Sequence, residues 1–228
     1  MEPVYESLTD RALSLKQNLV YEKGQNRVVV ILAGPPGSGK TTIAGNVAQR
    51  LNASSTTPLA AVVPMDGFHL PRSSLDEMPN KAEAYARRGA CWTFDPDGIL
   101  GLVTKLSDSR FQTLDTIVAP SFDHAVKDPV ANGIVIAKET QFVMLEGNYL
   151  LLNEDPWNKI KDMVDESWFV DVDPILAKVR IAKRHIKSGI EDNWEAAIKR
   201  AEGNDLLNGD VVRQNMVQPD VAVHSIEE

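Results

Sequence analysis

The sequence predicts an α/β fold, a mostly parallel sheet with helices on both faces. Two observations carry that prediction. Short apolar runs alternate with segments of helical periodicity along the whole chain. In addition, the run Val28–Ala33 opens into Gly34-Pro35-Pro36-Gly37-Ser38-Gly39-Lys40-Thr41-Thr42 and then Ile43–Leu51, which reads as a helix. Strand, glycine-rich turn and helix N-terminus thus follow one another directly.

The elements can be taken in order. Val4, Leu8, Ala12, Leu15 and Leu19 recur at three- and four-residue spacing, an amphipathic helix over 3–20 that Gly24-Gln25-Asn26 ends. Strand Val28–Ala33, the glycine-rich turn and its helix follow. Asn52–Pro58 is a polar turn, and Leu59–Val63 a second strand. Leu70 to Asp95, with Pro71 and Pro79, reads as a long loop around one helix at about Lys81–Arg88; such loops are often functional. A helix spans Ile99–Leu106 and a strand Thr116–Ala119, and Asn132-Gly133 predicts a tight turn. Phe142–Leu145 is a buried-type strand, Trp157–Val164 a helix, and Trp168–Val172 another strand. Pro174 suits the first position of a helix that runs to Lys187. Helices at Trp194–Glu202 and near Asp210–Val217 lead into Val221-Ala222-Val223. The four tryptophans, Trp92, Trp157, Trp168 and Trp194, read as packing residues.

Length and charge narrow the function. At 228 residues the chain makes one large domain with a sizeable core. A net charge of -8 argues against general nucleic-acid binding, which needs clustered Lys and Arg. Cys91 is the only cysteine, so neither an intrachain disulfide nor a cysteine-based zinc cluster is available. There is no basic-then-apolar leader and no run near the ~18 apolar residues of a membrane span. The expectation is a cytoplasmic protein with no membrane partner.

Gly34, Gly39, Lys40 and Thr41 satisfy the pattern G-x-x-x-x-G-K-[ST] in the strand-to-helix context that gives it meaning. Glycines let backbone N–H groups approach a polyphosphate, and the helix N-terminus adds unpaired donors and partial positive charge. Residues 34–42 are therefore expected to cradle a nucleotide's phosphates, with Lys40 on the outer ones and the Thr41 hydroxyl on Mg²⁺. Two other strand ends are acidic. Asp66, in Asp-Gly-Phe after the second strand, suits either a general base or a turn aspartate. Glu146, ending Phe142–Leu145, suits either a Mg²⁺ ligand or an exposed terminal charge. After Pro174, Lys178, Arg180, Lys183, Arg184, His185 and Lys187 form either a solvated basic face or a lid over the nucleotide. Spacing alone assigns no role to His69 or His124.

Five segments in order resemble the phosphoribulokinase/uridine kinase family, which includes bacterial-type pantothenate kinase. They are Gly34–Thr42; Met65-Asp66-Gly67-Phe68-His69; Arg87-Arg88-Gly89 with Thr93-Phe94-Asp95; Ala119-Pro120-Ser121-Phe122-Asp123-His124; and Val143–Leu150. The resemblance covers about residues 28–187. It implies a three-layer α/β/α P-loop NTPase fold with a mostly parallel five-stranded core and a helical lid at roughly 175–205. It also implies transfer of the ATP γ-phosphate to a hydroxyl of a small metabolite, with Mg²⁺. Asp66 is then the base, Asp95 binds acceptor hydroxyls and His124 faces the acceptor. Arg88 joins them on an acceptor side at roughly 66–95, and the lid residues Arg184 and Arg180 contact phosphates. A sugar, a nucleoside or pantothenate each remains open as acceptor.

The alternative class is a regulatory or stand-alone P-loop NTPase. A guanine-reading N-K-x-D segment is missing, since Asn158-Lys159-Ile160-Lys161 has lysine at its last position. Nothing in the sequence sets an oligomeric state.

Overall fold

A computed structural model describes residues 1–53, 55, 57–112 and 115–227. Its centre is strand β1 (Val28–Ala33), in which every residue is buried. Strands β2 (Ala60–Pro64), β5 (Phe142–Gly147), β6 (Glu166–Val172) and β7 (Val221–Ser225) join it in the order β2-β5-β1-β6-β7. All four pairings are parallel. The expected parallel five-stranded core is present, with the second strand of the chain at an edge and β5 between it and β1.

Alternation along β1 divides the core in two, because successive side chains leave opposite faces of a sheet. Val28, Val30 and Leu32 pack with Ile43, Ala44 and Val47 of α2 (Lys40–Asn52) and with Tyr5, Leu8 and Ala12 of α1 (Glu2–Lys16). Val29, Ile31 and Ala33 face Ile99, Leu102, Val103 and Leu106 of α5 (Pro96–Asp108), with Trp157 in the same cluster. Burying side chains of this size on both faces is worth about 1.5–3 kcal/mol each, which favours an uninterrupted apolar strand. Trp157 and Trp168 are packing residues as expected, whereas Trp92 and Trp194 are exposed.

Several elements differ from expectation. The loop 70–95 holds two short helices, α3 (Arg72–Glu77) and α4 (Lys81–Ala86), rather than one. Trp157–Val164 forms two single 3-10 turns, Trp157–Lys159 and Lys161–Met163, instead of one helix. Asn132-Gly133 is not a hairpin turn. Strand β3 (Ile117–Asp123) pairs antiparallel with β4 (Asp128–Ile136), and the chain reverses at 124–127. There the Asp123 carboxylate accepts from the N–H groups of Ala125 and Val126, a local side-chain turn. Asn132, at φ 57°, lies inside β4, where the register shifts opposite Ala119–Ser121. A left-handed residue serves a bulge as readily as a turn. The polar turn expected at 52–58 includes residues 54 and 56, which lie outside the described residues.

The C-terminal third forms α6 (Pro174–Lys187), α7 (Trp194–Arg200) and α8 (Leu206–Gln214). Asp173 caps α6 by accepting from the N–H groups of Ile175 and Leu176. Ala177 and Ile181 of α6 pack with Val172 and Ala201 in a small cluster of their own. No helix among the described residues is long and apolar enough to cross a membrane.

Candidate active site

The carboxyl ends of β1, β2 and β5 open on a cavity of about 620 Å³. Parallel α/β sheets place ligands at this end. From β1 the chain turns through the glycine-rich loop. A side chain on Gly34 would lie 2.6 Å from the Val170 carbonyl oxygen, so only glycine lets the loop leave between β1 and β6. Gly37 and Gly39 have φ of 79° and 85°, the left-handed region that glycine enters without strain. Helix α2 begins at Lys40, and its first N–H groups precede the intrahelical ladder. Ser38 Oγ is buried with no hydrogen-bond partner, an orphaned polar atom inside the cradle.

Lys40, Thr41 and Glu146 meet at the cavity floor. Thr41 Oγ1 donates to Glu146 Oε1 over 3.0 Å. Glu146 is buried in β5, in register with Leu32 of β1 on one side and Pro64 of β2 on the other. Burial raises its pKa, while Lys40 and the Thr41 hydroxyl pull it back. Burial lowers the pKa of Lys40 in turn, opposed by the carboxylates of Glu146 and Asp66. The two opposite charges thus moderate each other's desolvation. Glu146 and Thr41 present oxygen donors alone, which suits Mg²⁺: it takes one or two protein ligands and fills its octahedron with phosphates and water.

Asp66 sits on the 3-10 turn Met65–Phe68 after β2 and lines the same cavity. Two glycines fix its surroundings. A side chain on Gly67 would lie 2.1 Å from the Pro120 carbonyl oxygen, and one on Gly147 would lie 2.4 Å from Met65 Cβ. The hairpin β3–β4 therefore rests directly on the residue after Asp66. It contributes Ser121, Phe122, His124 and Ile134 to the lining.

Of the sequence-predicted site residues, Gly37, Gly39, Lys40, Thr41, Thr42, Asp66, His124, Glu146, Arg180 and Arg184 line the cavity, while Gly34, Pro35, Pro36 and Ser38 of the loop are not part of its lining. Asp95 and Arg88 do not line it. Asp95 caps α5, its Oδ1 accepting from Gly98 N over 2.9 Å. Arg88 donates to the carbonyls of Lys127 and Leu70 and to Asp128, and its guanidinium lies 5.6 Å from the Phe122 ring centroid. Arg180 donates to Ser225 Oγ over 2.7 Å, to the Ile226 carbonyl over 2.7 Å and to the Gly37 carbonyl over 3.3 Å, joining the C-terminal strand to the loop. Arg184 pairs with Asp205 at 3.3 Å. Sequence reasoning missed Ser121, Phe122, Ile134, Tyr5 and Ser225 in the lining, and Asp205 as the partner of Arg184. Ser121 and Phe122 lay within a segment already singled out; the others gave no local signal.

Over an alignment of 225 residues, which covers 97% of this chain and 91% of the other, the chain is 38% identical to the Schizosaccharomyces pombe protein named "Putative uridine kinase C227.14". The chain belongs to the uridine kinase-like family of P-loop kinases. It is an ATP-dependent phosphotransferase acting on a small molecule. A family model described as "ATPase family associated with various cellular activities (AAA)" also matches residues 30–91. Among solved structures, YFH7 of Saccharomyces cerevisiae, titled a "putative P-loop containing kinase with a circular permutation", superposes with TM-score 0.87 at 26% identity, covering 98% of this chain and 99% of that one. A structure titled "putative fructose transport system kinase" from Silicibacter sp. TM1040 superposes with TM-score 0.79 at 30% identity, covering 95% and 98%.

Proposed function

We propose that this kinase transfers the γ-phosphoryl group of ATP to a hydroxyl of a sugar, nucleoside or pantothenate-like metabolite held between Asp66 and the β3–β4 hairpin. The supporting observation is that Asp66 shares one cavity with Lys40, Glu146 and the glycine-rich loop. Phosphoryl transfer asks the protein for position and electrostatics rather than covalent chemistry. Residues 34–42 hold the donor's phosphates, and Lys40 offsets charge on the outer ones. Thr41 and Glu146 would hold Mg²⁺, which when bound neutralises charge building between the phosphates. Asp66 accepts the proton of the attacking hydroxyl. Arg184 reaches the transferring group from α6, while Arg180 holds the loop against the C-terminal strand. Arg88 and Asp95, off the lining, support the acceptor side instead of touching it. The printed names of two similar proteins, "Putative uridine kinase C227.14" and "putative fructose transport system kinase", support a small hydroxylated acceptor.

The test is coupled ADP release with and without a panel of sugars, nucleosides and pantothenate. A stimulated rate is expected for at least one of them. ADP release that none of them stimulates favours the stand-alone NTPase. Asp66→Asn should lower kcat by about 10²–10⁴-fold, the usual span of general-base catalysis, with the affinity for ATP nearly unchanged.

A further inference from the structure

We propose that Asn204 and Asn208, which lie outside the cavity, are positioning residues that tie its two sides together, so that filling the glycine-rich loop stiffens the β3–β4 hairpin. This coupling rests on the reading of that hairpin as the acceptor side.

The segment 87–89 is where the hairpin is anchored. The Arg88 guanidinium donates to the Lys127 carbonyl in the hairpin turn over 2.6 Å and pairs with Asp128 at 3.3 Å. The Gly89 carbonyl accepts from the hydroxyl of Tyr149, just after β5, over 2.7 Å. The C-terminal helices hold the same segment. Asn204 Nδ2 donates to the Arg88 carbonyl over 3.0 Å. Arg87 donates to the Gly203 carbonyl and to Asn208 Oδ1, both over 3.0 Å. Asn208 Nδ2 closes the set by donating to Asn204 Oδ1 over 3.4 Å.

Both asparagines are buried, and both groups of each amide are used. Packing alone asks only for an apolar side chain here, such as Val212 supplies one turn further along α8. A buried polar network with every member paired does more, since it fixes one arrangement of the segments that it joins.

The same stretch of chain reaches the donor side twice. Gly209 follows Asn208, and a side chain there would lie 3.3 Å from Pro35 Cβ, so α8 rests against the glycine-rich loop. Asp205 follows Asn204 and pairs with Arg184 of α6 at 3.3 Å. Asn204 and Asp205 share the π-helical turn Ala201–Asp205, in which the Leu206 N–H donates to the Ala201 carbonyl. Turns of this width are frequent at functional sites. Here adjacent residues serve different elements, Asn204 the acceptor side and Asp205 the lid. Nucleotide phosphates fix residues 34–42, the loop braces Gly209, and Asn208 and Asn204 brace Arg87 and Arg88.

The test is amide hydrogen exchange with and without Mg²⁺ and the non-hydrolysable ATP analogue adenylyl imidodiphosphate. In the wild type the analogue should slow exchange in residues 34–42 and, by about 5-fold or more, in the hairpin at 117–136. Asn204→Ala and Asn208→Leu should keep the loop protection and lose the hairpin protection. Asn208→Asp, which keeps an acceptor for Arg87, should retain most of it. Arg87→Lys gives up the planar fork that reaches Gly203 and Asn208 together, and should behave as Asn208→Leu does. Exchange in β1 and α2 without the analogue reports whether each variant is folded, and Arg87→Lys carries the test if an asparagine variant is not. Hairpin protection that survives in folded Asn204→Ala or Arg87→Lys overturns the coupling. A wild type protected in the loop and unchanged in the hairpin overturns it too, and the kinase reading stands in both cases. An analogue that protects neither region overturns the donor-site reading and the coupling together.

Discussion

Thr41 Oγ1 donates to Glu146 Oε1 over 3.0 Å, linking the first turn of α2 to the end of β5. Thr41 and Glu146 are the residues that would hold Mg²⁺, and the bond keeps their side chains together. Glu146→Gln retains the hydrogen-bonding shape and removes the charge. It should raise the Mg²⁺ concentration for half-maximal rate and lower kcat by about 10²–10³-fold, the scale seen when one transition-state electrostatic group is lost. Thr41→Val should act in the same direction. Rate measured against Mg²⁺ concentration checks both, and an unchanged Mg²⁺ dependence in Glu146→Gln removes Glu146 from the metal site.

The legible parts of this molecule are those whose cause is local. Val28–Ala33 could be read because a strand covered on both faces needs no polar residue, and the loop after it because Gly37 and Gly39 must take positive φ. The order β2-β5-β1-β6-β7 depends on pairings between residues far apart in the chain, such as Val30 with Met144, and no local pattern encodes them. Asn132-Gly133 was ambiguous for a physical reason, since one left-handed residue serves either a turn or a bulge. Asp205 could not be found from the sequence, because its role depends on how 201–205 folds back onto α6. Asp95 illustrates the reverse case. Its place before Pro96 and three residues from Gly98 is a helix-cap signal, and the cap is what the structure shows.

Gly67 is the point where the acceptor side presses on the proposed base. A methyl group there would lie 2.1 Å from the Pro120 carbonyl oxygen, and backbone on both sides must move. Gly67→Ala should cost about 1–3 kcal/mol of stability, as overpacking commonly does, and displace the hairpin relative to Asp66. The expected kinetic signature is a raised acceptor KM and a lowered kcat with ATP binding retained. Thermal unfolding and steady-state kinetics on the same preparation check it. A variant with wild-type melting temperature and KM would show that the hairpin does not rest on this residue.

Arg184 and His185 share one carboxylate: Asp205 lies 3.3 Å from Arg184 and 3.4 Å from His185 Nε2. Arg184 lines the cavity and its side chain is largely exposed, so this pair contributes little to stability. Its consequence is positional: if Arg184 contacts the donor phosphates as proposed, Asp205 competes with them for the guanidinium. Arg184→Ala should lower kcat by about 10²–10³-fold with the fold intact. Asp205→Asn, which frees the guanidinium, should lower the KM for ATP rather than raise it. A higher KM would mean that Asp205 aims Arg184 at the nucleotide instead of holding it back.

His185 supplies the pH prediction. It is buried on α6, and its Nε2 faces Asp205. Burial lowers its pKa; Asp205 opposes the shift, while Arg184 and Arg200 add to it. The unfolded chain binds the proton more readily than the folded one, so stability rises with pH across the interval between the two pKa values. The contribution is whole above about pH 6.5, the ordinary histidine value, and is lost as pH falls through the lower folded value. His69, lowered by burial as well, adds in the same direction. His185→Gln keeps a donor toward Asp205 without titrating in this range. Between about pH 7.5 and 5, the melting temperature of the wild type should fall further than that of His185→Gln, by about 2–4 °C for each kcal/mol in a domain of this size. Parallel curves for the two proteins would place the acid sensitivity elsewhere than in α6.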